Sequence, residues 1–157
     1  MRVVIAPDKF KGSLSAPDVA RHLETGLHAA ACDGGQISNL EVLTIPVADG
    51  GEGTLDAAVG SGFARRSAVV SGPTGQRLRA EFAVRGREAV IEMAAASGLA
   101  ALPGGPAGAR GTGKEGSGGQ PDSASAKGAT SLGTGELIRA ALDAGCRQII
   151  LGVGGSA

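Results

Sequence analysis

Residues Glu41–Val59 read EVLTIPVADGGEGTLDAAV, and this stretch decides the fold class. The apolar run Glu41–Val47 predicts a strand, the glycines that follow predict a tight loop, and Thr54–Val59 predicts a helix. The same order stands earlier in the chain, where a polar loop separates the predicted strand Arg2–Ala6 from the predicted helix Ala16–Ala31. A repeated strand–loop–helix order indicates an α/β fold with parallel strands.

The pattern changes further along the chain. Arg65–Val70, Arg77–Val84 and Glu88–Met93 all look like strands. Polar and apolar residues alternate in the second of them, which is typical of antiparallel pairing. Gly133–Ala144 predicts a helix and Gln148–Val153 a buried strand. We therefore expect an α/β protein with a parallel or mixed sheet and helices on both faces.

Composition suggests two segments. A shift near Ser71 predicts a first α/β segment over residues 1–70 and the start of a second over residues 71–157. Pro103–Lys127 consists mainly of Gly, Pro, Ala and Ser with scattered charges. Such a stretch offers little apolar surface to offset chain entropy, so we expect a disordered linker inside the second segment.

Charge and composition narrow the function classes. The 157 residues carry no net charge, and aromatic residues make up 2%. Nucleic-acid binding needs clustered positive charge or stacking aromatics, so a nucleic-acid partner is not expected. We see no signal peptide and no apolar run of membrane-spanning length, and therefore expect a cytoplasmic protein without a membrane partner. The oligomeric state stays open.

Three glycine patterns suggest nucleotide binding. Those that begin at Gly108 and Gly111 lie in the predicted linker, where glycine is so frequent that chance matches are expected. In addition, no strand precedes either pattern. The third, Gly152–Ala157, follows a predicted strand, so its backbone N–H groups could approach a phosphate. A plain tight turn is the alternative.

Charged loops follow the first two predicted strands. Asp8, Lys9, Lys11 and Ser13 follow the first strand, and this set suits an anionic substrate. A solvated loop is the alternative, because exposed charges often contribute little.

The loop after the second strand carries two carboxylates. Asp49 and Glu52 flank Gly50 and Gly51, and they could bind magnesium or abstract a proton from a hydroxyl. A simple helix cap is the alternative. Glu92 interrupts an apolar strand, and we expect it to face solvent at a sheet edge.

Taken together, several stretches resemble type I glycerate kinases. They are IAPDKFKGSLSA (Ile5–Ala16), PVADGGEGTLDA (Pro46–Ala57), GPTG (Gly72–Gly75), VIEMAAASGL (Val90–Leu99), GTGELIRAALDAG (Gly133–Gly145) and IILGVGGSA (Ile149–Ala157). The resemblance implies an ATP- and magnesium-dependent kinase that phosphorylates D-glycerate. It also implies two α/β domains with the active site in the cleft between them.

The resemblance suggests roles for the loop residues. Lys9 and Lys11 would attract the glycerate carboxylate or the transferring phosphoryl group. Asp49, with Asp8 or Glu52, would hold magnesium or orient the substrate hydroxyl. The expected set is Asp8, Lys11 and Asp49 as catalytic residues, Lys9, Ser13, Glu52 and Thr54 as substrate-binding residues, Gly154, Gly155 and Ser156 as ATP-binding residues, and Asp49 and Glu52 as metal ligands.

The same resemblance implies a truncated chain. Type I glycerate kinases are more than twice as long, and the third signature loop of the family stops here at Ala157. We therefore expect an amino-terminal fragment that is inactive by itself. The alternatives are a non-catalytic α/β module that binds an anion or a nucleotide, and a dinucleotide-dependent oxidoreductase, which rests on Gly152–Ala157 only.

Overall fold

The computed structural model describes residues 1–7, 14–34, 39–45, 47–103 and 123–155. The elements in chain order are β1 (Arg2–Ile5), α1 (Ala16–Gly34), β2 (Glu41–Thr44), α2 (Thr54–Gly60), β3 (Ala64–Ser71), β4 (Arg77–Arg85), β5 (Glu88–Glu92), α3 (Ala94–Ser97), a 3-10 turn (Leu99–Ala101), α4 (Ser123–Gly128), α5 (Leu132–Asp143) and β6 (Gln148–Gly152). The chain divides into two compact units, Met1–Ala48 and Asp49–Ala157. Among the helices so described, none combines the length and the apolar character needed to cross a bilayer.

The first unit contains a parallel strand pair and one helix. β1 pairs in parallel with β2, as the repeated strand–loop–helix order predicts. The hydroxyl oxygen of Ser15 accepts the backbone N–H of Asp18 at 3.3 Å, so this serine caps the first turn of α1. Ile5 on β1 is buried, as are Val19 and Ala20 on α1. These are the buried apolar side chains among the described residues of this unit.

The second unit is built on a four-stranded mixed sheet in the order β3–β4–β5–β6. β3 and β5 both pair antiparallel with β4, whereas β5 and β6 are parallel. This arrangement confirms the antiparallel pairing predicted for Arg77–Val84. It also places the carboxyl ends of β5 and β6 at the same edge of the sheet.

Helices cover both faces of this sheet, as predicted. Ala89 and Ile91 of β5 pack with Leu137 of α5 in one buried cluster. Val90, which alternation places on the opposite face, packs with Leu55 of α2 in a second cluster. The two clusters hold β5 between two helical layers.

The first turn of α5 lies directly on the backbone of β3. A Cβ added at Gly133 would come within 1.8 Å of the carbonyl oxygen of Ser71, so only glycine fits there. The Glu136 carboxylate accepts the backbone N–H of Ser71 and pairs with Arg77 at 3.3 Å. The Ser71 hydrogen bond is the main cause that lowers the pKa of Glu136. Glycine and carboxylate together fix the start of the helix on the sheet.

The sequence predicts a disordered linker over Pro103–Lys127. This prediction is wrong for the last residues of the range, because α4 begins at Ser123. Ala124, Ala126 and Lys127 have high intrinsic helix propensity, and none of the side chains of α4 is buried. Residues 104–122 of the predicted linker lie outside the described residues.

The predicted change of segment between residues 70 and 71 falls inside β3. The division between the compact units lies instead between Ala48 and Asp49. The assignment of residues 1–70 and 71–157 to two domains stays a prediction.

Candidate active site

Two glycine-rich loops meet at the carboxyl edge of β5 and β6. Glu92 and Gly152 are opposite each other at the ends of these parallel strands. Beyond this point the backbone N–H of Gly154 donates to the carbonyl oxygen of Gly50 at 3.0 Å. We call the backbone contact of Gly50 and Gly51 with Gly152 and Gly154 the glycine seam. It joins the predicted phosphate loop to the predicted substrate loop within one compact unit.

The glycine seam leaves no room for side chains at Gly152 and Gly154. A Cβ at Gly152 would lie 2.5 Å from the carbonyl oxygen of Gly50, and one at Gly154 would lie 2.7 Å from the Cα of Gly51. Gly50 also has a φ of 91°, a conformation that L side chains rarely adopt. The glycines that the sequence suggests for phosphate approach therefore also serve this close packing of one backbone on another.

Loop Asp49–Thr54 is shaped by its own polar side chains. One carboxylate oxygen of Asp49 accepts the backbone N–H of Gly51 at 2.8 Å. The hydroxyl of Thr54 donates to the carbonyl oxygen of the same glycine at 2.7 Å. Gly53, with a φ of 97°, is the cap residue before α2. A helix cap is the alternative interpretation of Asp49 and Glu52, but the residue that caps α2 is Gly53.

Glu92 is the site residue that the sequence interpretation placed wrongly. It is only 7% exposed, because β5 is a central strand and α2 covers this face of the sheet. Its carboxylate accepts the backbone N–H of Leu55 at 3.1 Å. Burial raises the pKa of Glu92, and the charges of Asp56 and Glu52 add to this, while hydrogen bonds from Leu55 and Gly53 oppose it. The sequence feature that could have identified Glu92 is a charged residue at the carboxyl end of an apolar strand.

The predicted site residues divide into two groups. Those outside the described residues are Asp8, Lys9, Lys11, Ser13 and Ser156. Those within the second unit are Asp49, Glu52, Thr54, Gly154 and Gly155, and the first two are exposed while Thr54 is half-buried. Within the described ranges, no three His, Cys, Asp or Glu side chains are grouped closely enough to hold a metal ion. The roles proposed for individual residues stay predictions.

One surface depression has none of these described residues in its lining. It has a volume of about 530 Å³ and is lined in the first unit by Met1, Arg2, Asn39, Leu40 and Glu41. None of these residues supplies a nucleophile, a phosphate-binding glycine loop or paired carboxylates. The chemistry therefore points to the glycine seam and not to this depression.

The second unit has the features of an α/β protein that binds a ligand beyond the carboxyl ends of its strands. The model of the glycerate kinase family matches residues 3–157. The chain belongs to the glycerate kinase family.

Individual relatives agree with this assignment. The chain is 41% identical to glycerate 2-kinase of Escherichia coli (strain K12) and 42% identical to glycerate kinase of Bacillus subtilis (strain 168), with the whole chain aligned in both cases. A crystal structure from Salmonella typhimurium LT2, assigned to glycerate kinase 2, superposes with a TM-score of 0.68 at 44% identity and covers 99% of the chain. The chain spans 36% of the length of each of these three proteins.

Proposed function

We propose that this chain is the segment of a glycerate kinase that carries the glycine seam, and that the full-length enzyme phosphorylates D-glycerate with ATP and magnesium in the cytoplasm. This proposal rests on the hydrogen bond from the backbone N–H of Gly154 to the carbonyl oxygen of Gly50. It brings the glycine loop suited to phosphate and the loop with two carboxylates to the same edge of one sheet. Membership of the glycerate kinase family supports this choice of reaction.

The donor set of loop Asp49–Thr54 fits magnesium. Mg²⁺ is usually held by one or two carboxylates together with substrate phosphates and waters, so a cage of three protein ligands is not required. The exposed carboxylates of Asp49 and Glu52 lie three residues apart on this loop. Magnesium bound with ATP would neutralise charge on the phosphates. Asp49 and Glu52 are the residues proposed to hold it.

The remaining residues of the predicted site would bind and orient the substrates. Backbone N–H groups of Gly154 and Gly155 would lie along the ATP phosphates, with Ser156 next to them. Lys9 and Lys11 would attract the glycerate carboxylate or the transferring phosphoryl group, and Asp8, Ser13 and Thr54 would orient the acceptor. Phosphoryl transfer depends mainly on such positioning and charge compensation.

The position of phosphorylation follows from one relative. The E. coli protein is named glycerate 2-kinase, and we extend this regiochemistry to the present chain. Phosphorus NMR of the product separates the 2-phosphate from the 3-phosphate. A product with phosphate on the 3-hydroxyl would contradict the extension and leave the kinase proposal intact.

The decisive experiment changes one carboxylate in a full-length family member that carries these 157 residues. Asp49→Asn should lower glycerate-dependent ADP release by roughly 10² or more, because a neutral amide cannot hold magnesium or orient a hydroxyl in the same way. Asp56→Asn is the matched control, since Asp56 lies on α2 and pairs with Arg65 on the sheet. Equal activity of wild type and Asp49→Asn would remove Asp49 from the catalytic set.

A non-catalytic module that binds an anion or a nucleotide is the second candidate, and the glycine seam is equally compatible with it. Calorimetric titration with ATP and magnesium, alongside the turnover assay, separates the two. Nucleotide binding by the full-length protein without any turnover of D-glycerate would favour the module.

A further inference from the structure

We propose that Glu92 is a positioning residue, which fixes loop Asp49–Thr54 against the glycine seam by holding the backbone at the start of α2. The effect that we expect on kcat rests on the proposed function, whereas the effect that we expect on amide exchange in loop Asp49–Thr54 does not. The resemblance and the comparisons give this residue no role.

The carboxylate of Glu92 lies at the junction between loop Asp49–Thr54 and α2. Glu92 ends the central strand β5, and its side chain lies on the face that α2 covers. It accepts the N–H of Leu55 at 3.1 Å, and the backbone of Gly53 lies close enough to lower its pKa. These two amides lie on either side of Thr54. The carboxylate therefore holds the junction between loop and helix from both sides.

A carboxylate at this buried position has an energetic cost. Burial of an ionisable group is unfavourable unless hydrogen bonds satisfy it, and here backbone amides do so. The neighbouring positions on the same face, such as Val90, are apolar and pack well. A residue that served packing alone could be apolar as well. The carboxylate supplies a strong acceptor for backbone groups that a hydrocarbon side chain would leave unsatisfied.

Contacts hold loop Asp49–Thr54 at both of its ends. Glu92 is paired in register with Gly152, whose missing side chain admits the carbonyl of Gly50. Gly50 in turn accepts the N–H of Gly154. Loop Asp49–Thr54 is consequently held at both ends, by the seam at its start and by Glu92 at its finish. Release of either end lets Asp49 and Glu52 move relative to the glycine loop.

The test compares Glu92→Gln with Glu88→Gln. The Gln amide keeps the size of the side chain but has one acceptor oxygen, and its NH₂ group would face amide donors. Glu88 is the matched control, because it lies on the same strand but its carboxylate pairs with Arg85 at 3.0 Å. Amide hydrogen exchange is measured by NMR on the 157-residue chain.

We expect exchange at Leu55, and through the seam at Gly154, to be about tenfold to a hundredfold faster in Glu92→Gln, as the loss of hydrogen bonds to a charged acceptor implies. Amides in the middle of α5 should stay unchanged, and Glu88→Gln should behave like wild type. Unchanged exchange at Leu55 in Glu92→Gln would overturn the proposal. Rapid exchange of this amide in wild type would overturn it as well, without the need for a variant.

The kinetic readout uses a full-length kinase with this segment. A misplaced loop lowers kcat by about tenfold to a hundredfold and changes the KM for glycerate much less, because reacting groups that shift by about 1 Å lose alignment and not affinity. A merely structural role would lower the melting temperature with kcat per folded molecule unchanged, and that result contradicts the proposal. Absence of kinase activity in wild type would refute the proposed function, while the exchange result would still decide the role of Glu92.

Discussion

Replacement of Gly152 by alanine tests the glycine seam directly. The new Cβ would lie 2.5 Å from the carbonyl oxygen of Gly50 and 3.1 Å from its Cα, so backbone has to move. Overpacking of this kind costs about 1–3 kcal/mol. Loss of the hydrogen bond from Gly154 to Gly50 adds about 0.5–1.5 kcal/mol, and reduced entropy of the unfolded chain returns about 0.4–1 kcal/mol. Together these contributions give an expected net destabilisation of about 0.5–4 kcal/mol.

The assay is urea unfolding of the 157-residue chain, with the midpoint and slope fitted for wild type and variant. Gly135→Ala is the control, because a Cβ at this exposed position of α5 would meet nothing within 4 Å. Alanine in a helix is favoured over glycine by about 0.5–1 kcal/mol, so the control should unfold at higher urea. The same substitution thus changes stability in opposite directions at the two sites.

Equal midpoints for Gly152→Ala and wild type would refute the reasoning. So would a loss in Gly135→Ala as large as that in Gly152→Ala, because the effect would then follow from the residue type and not from the contact with Gly50. A changed slope for Gly152→Ala alone would show that the variant alters how much surface unfolding exposes.

Three further results are expected. Because burial raises the pKa of Glu92, its contribution to stability is fully present below the ordinary glutamate pKa and is lost as the pH rises through the folded-state value. Urea midpoints across that range should therefore fall more in wild type than in Glu92→Gln, and parallel curves would contradict the burial of this charge. Leu137→Ala, at a position with 0% exposure, should lower the free energy of unfolding by about 2–5 kcal/mol, and a loss below 1 kcal/mol in the same urea experiment would argue against the α5 core. The chain spans 36% of the length of its relatives, so the purified 157 residues should release no ADP with D-glycerate, ATP and magnesium; turnover of roughly 1 per second or faster would show that they suffice.

Much of the fold is predictable because its elements have local signals. Alternation over Arg77–Val84 is enough to indicate an antiparallel strand, and the structure has one over Arg77–Arg85. Glycines and apolar periodicity similarly mark α5 and β6 to within one residue. The short helix α3 has no such signal, because AAAS offers neither periodicity nor a cap. Small buried side chains make it helical only in its packed setting.

The site is less predictable because it depends on contacts between distant segments. Asp49 and Gly154 attract attention in the sequence for their chemistry, yet the hydrogen bond that joins their loops involves backbone groups alone. Glu92 shows the same limit: alternation assigns it a face of the sheet, but only the position of α2 determines that this face is covered. The sequence therefore shows that a charged side chain lies in an apolar strand, but it does not show whether that side chain is buried.

The glycine seam also has a consequence for the order of folding. The bond from Glu92 to Leu55 joins residues 37 positions apart, within a part of the chain that β3, β4 and β5 already organise. The hydrogen bond from Gly154 to Gly50 closes a loop that contains nearly the whole second unit. The entropy lost on closing this loop is therefore larger than the entropy lost on joining Leu55 to Glu92. During synthesis, Glu92 can anchor α2 while β6 is still to be made. We therefore expect the two loops to come together late in folding, after the carboxylate of Glu92 has bound the start of α2.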